Sequence, residues 1–163
     1  MGSIEDRITE LGWELPPALV PPPGVVLPFE FVQVVGTRVL ISGHGPQAPD
    51  GSVAGPLGKV GADVTVDEAY IAARSTALSI LGSLQRTLGD LDRIMGWTRL
   101  FGMVNSAPGF RQQPAVINGC SDLILDVFGS QDGAPPRSAV GLAELPFGIP
   151  VEIEGELRIA PCR

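Results

Sequence analysis

Residues 135–157 of the chain, PPRSAVGLAELPFGIPVEIEGEL, decide its reading. The stretch reads as two short strands joined by a turn that contains Pro146, Gly148 and Pro150. Alternation along the first strand sets Arg137, Ala139, Gly141 and Ala143 on one face and Ser138, Val140 and Leu142 on the other. In the second, Glu152, Glu154 and Glu156 share a face opposite Val151, Ile153, Gly155 and Leu157. Charges in strands are usually solvent-facing, and a sheet edge with solvated carboxylates accounts for this pattern. The other reading is a site. The planar fork of Arg137 suits a substrate carboxylate, and a nearby glutamate could hold and deprotonate a water.

Upstream of that stretch the same rules mark further elements. Ser3 before IEDRITELG reads as an N-cap, with Asp6 completing an approximate capping box and Gly12 as the stop. The following segment, ELPPALVPPPGVVLP, has too many prolines for regular structure, because each removes a donor and fixes φ. Residues 1–27 are therefore a short helix and a proline-rich arm lying on the domain or on a neighbour. From Phe29 the pattern turns to β: FEFVQVV, a tight turn at Gly36-Thr37, then RVLISG. A long Gly/Pro-rich loop follows, of a length more often functional or interface-forming than idle.

Thr65 then caps a helix that Gly89 ends, with Asp67 and Glu68 in its first turn. Its apolar positions, from Ala69 to Leu88, recur at steps of three and four, and its small residues permit close packing on a sheet. The run IMGWTRLFGMVN reads as a strand, and Pro114 opens a second helix closed by Gly129. The order is ββαβαββ: an α+β domain spanning residues 1–163, with two helices on one face of a mixed sheet.

Composition limits the function. A chain of 163 residues with 44% hydrophobic and 18% charged residues can bury a real core, and so few charges point to a surface partly covered by other subunits. A net charge of −7 opposes binding to nucleic acid or to anionic membranes. Cys120 and Cys162 are too few for a disulfide framework, and with one histidine, His44, there is no metal-ligand cluster. The longest apolar run is broken by Arg74, Ser and Thr, and no signal-like segment opens the chain, so a cytoplasmic protein is the expectation. Cys120 reads as core packing, and the glycines around Lys59 lack phosphate-loop spacing. His44, at the end of a strand, reads either as a turn histidine bonded to backbone or as a pocket wall or proton shuttle.

Four stretches go beyond periodicity. PPRSAVGLAEL followed after five residues by VEI, LISGHGP, and the segments GKVGADVTVDEAYIAARSTALSILGSL and FGMVNSAPGFRQQPAVINGCSDLILDVFG resemble the Rid/YjgF family, also called endoribonuclease L-PSP-like. The likeness covers residues 28–159 and points to the longer-chain branch. It implies a chorismate-mutase-like fold, a homotrimer with a central barrel-like core, and three clefts between subunits. It also implies cofactor-independent deamination, in which reactive 2-imino acids are hydrolysed to 2-oxo acids and ammonia. By that likeness Arg137 grips the substrate carboxylate and Glu152 positions water, while Ser42 and Asn118 occupy other pocket positions. The sequence departs from the family at three places: Phe29 stands for a tyrosine, Ala139 for a cysteine, and His44 for a glutamine. The carbonyl of Ala139 could still orient water.

Three functions stay open on this reading. The first is an imine or enamine hydrolase acting on a small carboxylate-bearing substrate. The second is a biosynthetic enzyme using the same cleft for condensation, cyclisation or hydrolysis, which the His44 and Phe29 departures favour. The third is a non-catalytic metabolite-binding trimer. Ribonuclease activity fits poorly with the acidic charge and the lack of a histidine pair.

Overall fold

Thr65 and Glu68 bond each other reciprocally in a capping box at the start of a helix that runs Val66–Leu88, and Gly89 closes it in the left-handed conformation. This helix, α2, is one of eight main elements in the computed structural model of the chain, which describes residues 2–161. The others are α1 (Ser3–Glu10), β1 (Val32–Val35), β2 (Arg38–His44), β3 (Ile94–Asn105), α3 (Gln113–Asp132), β4 (Arg137–Leu142) and β5 (Val151–Ile159). The expected ββαβαββ order is present after α1, and Cys162 lies outside the described residues.

Two local expectations change. Helix α1 begins one residue early, with Gly2 at the cap position and no side-chain cap of its own. Its orphan amides are satisfied from across the chain: Asp92 accepts from the N–H groups of Ser3 and Ile4, at 2.7 and 2.8 Å. Gly129, with φ 77° and ψ 172°, breaks α3 as expected, but a further short helical stretch follows it to Asp132. At the other end of α1, Gly12 acts as expected, its N–H bonding to the Thr9 carbonyl.

The β1–β2 hairpin turns at Gly36-Thr37 and pairs Val35 with Arg38. The strands of the opening stretch, however, do not pair with each other. The sheet order is β1-β2-β5-β3-β4, so β3 lies between β4 and β5. Strand β4 runs parallel to β3, while β5 is antiparallel to both β2 and β3. The prolines and the short 3-10 turn at Pro146–Gly148 thus carry the chain over β3 instead of closing a hairpin.

Both long helices cover one face of this sheet. Leu100, Val104, Ile153 and Leu157 point to that face and are essentially inaccessible. The helices touch closely: a methyl group on Gly119 of α3 would collide with the Tyr70 carbonyl of α2. The other face carries no helix among the described residues. It presents Leu40, Phe101, Met103 and Val140 together with Glu152, Glu154 and Glu156. No helix among the described residues is long and apolar enough to cross a membrane.

Candidate functional site

Three glutamates on one strand face meet three fates. Glu156 is held by Arg38 through two hydrogen bonds of 2.8 and 3.0 Å. Glu154 stands 3.9 Å from Arg99. Among the described residues Glu152 has no hydrogen bond and no cation partner. It is half-buried, and desolvation, then the charge of Glu154, push its carboxyl above the ordinary 4.5.

Its side chain enters a cavity of about 330 Å³ shared with Phe29, Phe31, Gly43 and His44. Two backbone features open the way. The β2–β5 register shifts between Ile41 and His44, which is a bulge. Within it, Gly43 leaves room for the Glu152 carboxylate, which any Cβ there would overlap.

His44 forms the inner wall of the cavity and is 4% exposed. The carbonyl of Ser42, 2.6 Å from Nδ1, can only accept, so Nδ1 carries the proton. Nε2 then accepts from the Ser83 hydroxyl at 2.9 Å, and Ser83 accepts in turn from Arg86 at 3.1 Å. Burial lowers the imidazole to about 4 despite the Ser42 bond. The ring is therefore neutral, with its tautomer set, near neutral pH. Both sequence readings of His44 meet here, since it is bonded to backbone and is a pocket wall.

Arg137 lies elsewhere. Its β-ladder partner Leu100 faces the helices, so Arg137 also projects to the helix-covered side, at the β4 edge. There it donates to Ser121 Oγ at 2.8 Å, to Asn118 Oδ1 at 2.7 Å and to the Pro114 carbonyl at 3.2 Å. All three acceptors are neutral, and no carboxylate among the described residues pairs with the guanidinium. Asn118, expected at a pocket position, holds the Arg137 guanidinium. Ala139 sits on the same side as Arg137, packed against the core.

The expected site residues therefore form two groups, with Glu152 of one and Arg137 of the other projecting from opposite faces of the sheet. Glu152, His44 and Phe29 meet in the cavity, and Arg137, Asn118 and Ala139 cluster at the β4 edge. Ser42 lines neither. Its hydroxyl donates to the Glu30 carbonyl at 2.8 Å, and its own carbonyl fixes His44.

Sequence reading missed Gly43, Ser83 and Arg86, whose roles arise from contacts between distant segments. Only the Ser-Gly-His-Gly string, unusual inside a strand, hinted at the bulge. Cys120 is fully buried, and its thiol is pushed up to about 12, which suits packing and not attack. Lys59 is tied to Asn105, to the Ala143 carbonyl and to Glu144, a brace between the long loop and the β3–β5 region.

Comparison with known proteins agrees with this architecture. The family model described as "YjgF/chorismate_mutase-like, putative endoribonuclease" matches residues 5–139. Protein TCP17 of Trypanosoma cruzi is 42% identical over 156 residues, covering 94% of this chain and 92% of that one. The solved structure of Atu1372 from Agrobacterium tumefaciens shares 39% identity with a TM-score of 0.83, over 96% of this chain and 92% of its own. An endoribonuclease-like protein from Shewanella oneidensis superposes with a TM-score of 0.85 at 28% identity, over 97% of this chain and all of its own.

Proposed function

The chain belongs to the YjgF/chorismate mutase-like family, and from that premise we propose that it hydrolyses small 2-imino acids at a site shared between copies of itself. The observation that carries this reading is Glu152: a half-buried, unpaired carboxylate aimed into a cavity beside a neutral imidazole. Such a group is a water-activating base. Arg137 supplies the complementary half, a positioned guanidinium with no acidic partner among the described residues.

In the reaction, the substrate carboxylate pairs with Arg137, and the protonated C=N carbon lies over Glu152. The carboxylate takes a proton from water as the oxygen attacks that carbon. Glu152 returns that proton to the nitrogen of the tetrahedral carbinolamine and then takes the hydroxyl proton as the C–N bond breaks, so that the 2-oxo acid forms and the departing ammonia carries the last proton away as ammonium. One water is consumed and no electrons change hands. A protonated imine is electrophilic already, so the reaction itself requires no metal or redox group.

Because Arg137 and Glu152 project from opposite sides of one sheet, a single chain does not present both to one small molecule. A neighbouring copy brings the second half. The helix-free face, with Leu40, Phe101, Met103 and Val140, is the surface we assign to that contact, in a homotrimer. Hydrolysis of an imine released in situ by an amino-acid oxidase tests the proposal. The parent protein should accelerate ammonia release, and Arg137→Ala should raise KM and lower kcat/KM by about 100-fold or more. An Arg137→Ala protein working at the parent rate would remove Arg137 from the site. Ligand binding without any turnover would favour a metabolite-binding trimer instead.

A further inference from the structure

The cavity around Glu152 has a chemical character of its own. Among the described residues Glu152 is the one charged group that lines it; Gln47, Ser83 and the neutral His44 are polar, and most of the remaining wall is apolar, including Leu19, Leu27, Phe31, Val53, Phe147 and Ile149. We infer that this cavity receives the side chain of the substrate and that the side chain is large and apolar, branched aliphatic or aromatic. The inference rests on the proposed imine hydrolysis and names the substrate class for it.

Three observations support the assignment. The first is size: about 330 Å³ is more room than a methyl group needs and is within the range of small-ligand pockets. The second is that the proline-rich arm, which supplies Leu19 and Leu27, is fastened down. Arg86 donates to the Pro16 carbonyl at 2.9 Å, Gln47 to that of Pro17 at 3.2 Å, and the Val20 N–H to Gly51 at 2.9 Å. Upstream, Arg74 stacks 4.5 Å over the Trp13 ring. The arm is thus a fixed wall and not a loose strap.

The third is Phe147. It has φ 59°, a left-handed backbone that a bulky residue rarely adopts, and it is 47% exposed at the cavity edge. Neighbouring Gly148 anchors the turn by accepting from the Gly58 N–H at 2.7 Å. A strained, half-exposed phenylalanine gains its partner when an apolar group enters. The same lining rejects acidic side chains, because a second substrate carboxylate would meet Glu152 and no cation.

Rates on four imines test this: those of alanine, leucine, phenylalanine and glutamate, each released in situ by an oxidase or dehydrogenase that accepts the parent amino acid. The leucine and phenylalanine imines should show kcat/KM at least about tenfold above the alanine imine, since each buried methylene gains about 10-fold or more. The glutamate imine should be the poorest. Equal or better rates on the alanine or glutamate imine would overturn the assignment.

Leu27→Arg places a cation in the wall and should move the glutamate-to-leucine ratio up by about tenfold or more; an unchanged ratio counts against the arm as a specificity wall. Calorimetry on the parent protein separates this inference from the one beneath it. If no imine is turned over, the proposed hydrolysis fails on its own account. Tighter binding of phenylpyruvate than of 2-oxoglutarate would still support the apolar side-chain pocket, and the reverse order, or no binding of either, would overturn it.

Discussion

Glu152 holds its charge under a strain that Glu154 and Glu156 escape, because those two face solvent and arginine partners. Its folded-state pKa is raised, so the stability it contributes is fully present below the unfolded value and is lost as pH rises through the folded value. Near neutral pH the ionised carboxylate is therefore a liability to the fold. Glu152→Gln should melt at or above the parent Tm at pH 7, yet lose about 10²–10⁴-fold in hydrolysis. In the parent, the acid limb of kcat/KM should have its midpoint above 4.5. A lowered Tm combined with retained activity would mark Glu152 as structural.

His44 has the opposite sign. Burial depresses it from 6.5 to about 4, so its contribution is present above the unfolded value and lost as pH falls towards 4. At this depth the difference is worth at most about 3 kcal/mol. Thermal melts from pH 7 to pH 4 should show the loss, and His44→Gln should flatten it. An equally steep loss in the variant would place the acid sensitivity elsewhere.

Between elements, the close approach of α2 and α3 depends on Gly119. Alanine favours a helix, but its methyl group would strike the Tyr70 carbonyl, so Gly119→Ala should cost about 1–3 kcal/mol, seen as a lower urea midpoint with an unchanged m-value. The boundaries of α2 were legible in the sequence because their causes are local: Thr65 with Glu68 at one end, Gly89 at the other. The β1–β2 hairpin was legible for the same reason, a two-residue turn between β-branched runs. The capping of α1 by Asp92 was not legible, since the residues are 88 and 89 positions apart. Nor could the arm be read as a pocket wall. Leu19 and Leu27 sit among prolines with no period to assign them a face.

At the scale of the molecule, strand order was the feature local pattern could not supply. Two strands joined by a short turn read as neighbours, yet β3 comes between them. The consequence reaches the site. The family resemblance selected Arg137 and Glu152, but their 15-residue spacing said nothing of faces; the registers Leu100–Arg137 and Met103–Glu152 put them on opposite sides. A site using both therefore requires two chains, which is the central claim. Mixing Arg137→Ala protein with Glu152→Gln protein, after partial unfolding and co-refolding, tests it directly. In mixed assemblies some clefts unite an intact Arg137 from one chain with an intact Glu152 from another. Activity should return to about a quarter of the parent level for random equal mixing in a ring. A mixture that stays as inactive as the two variants separately, although subunits are shown to exchange, would contradict the shared site.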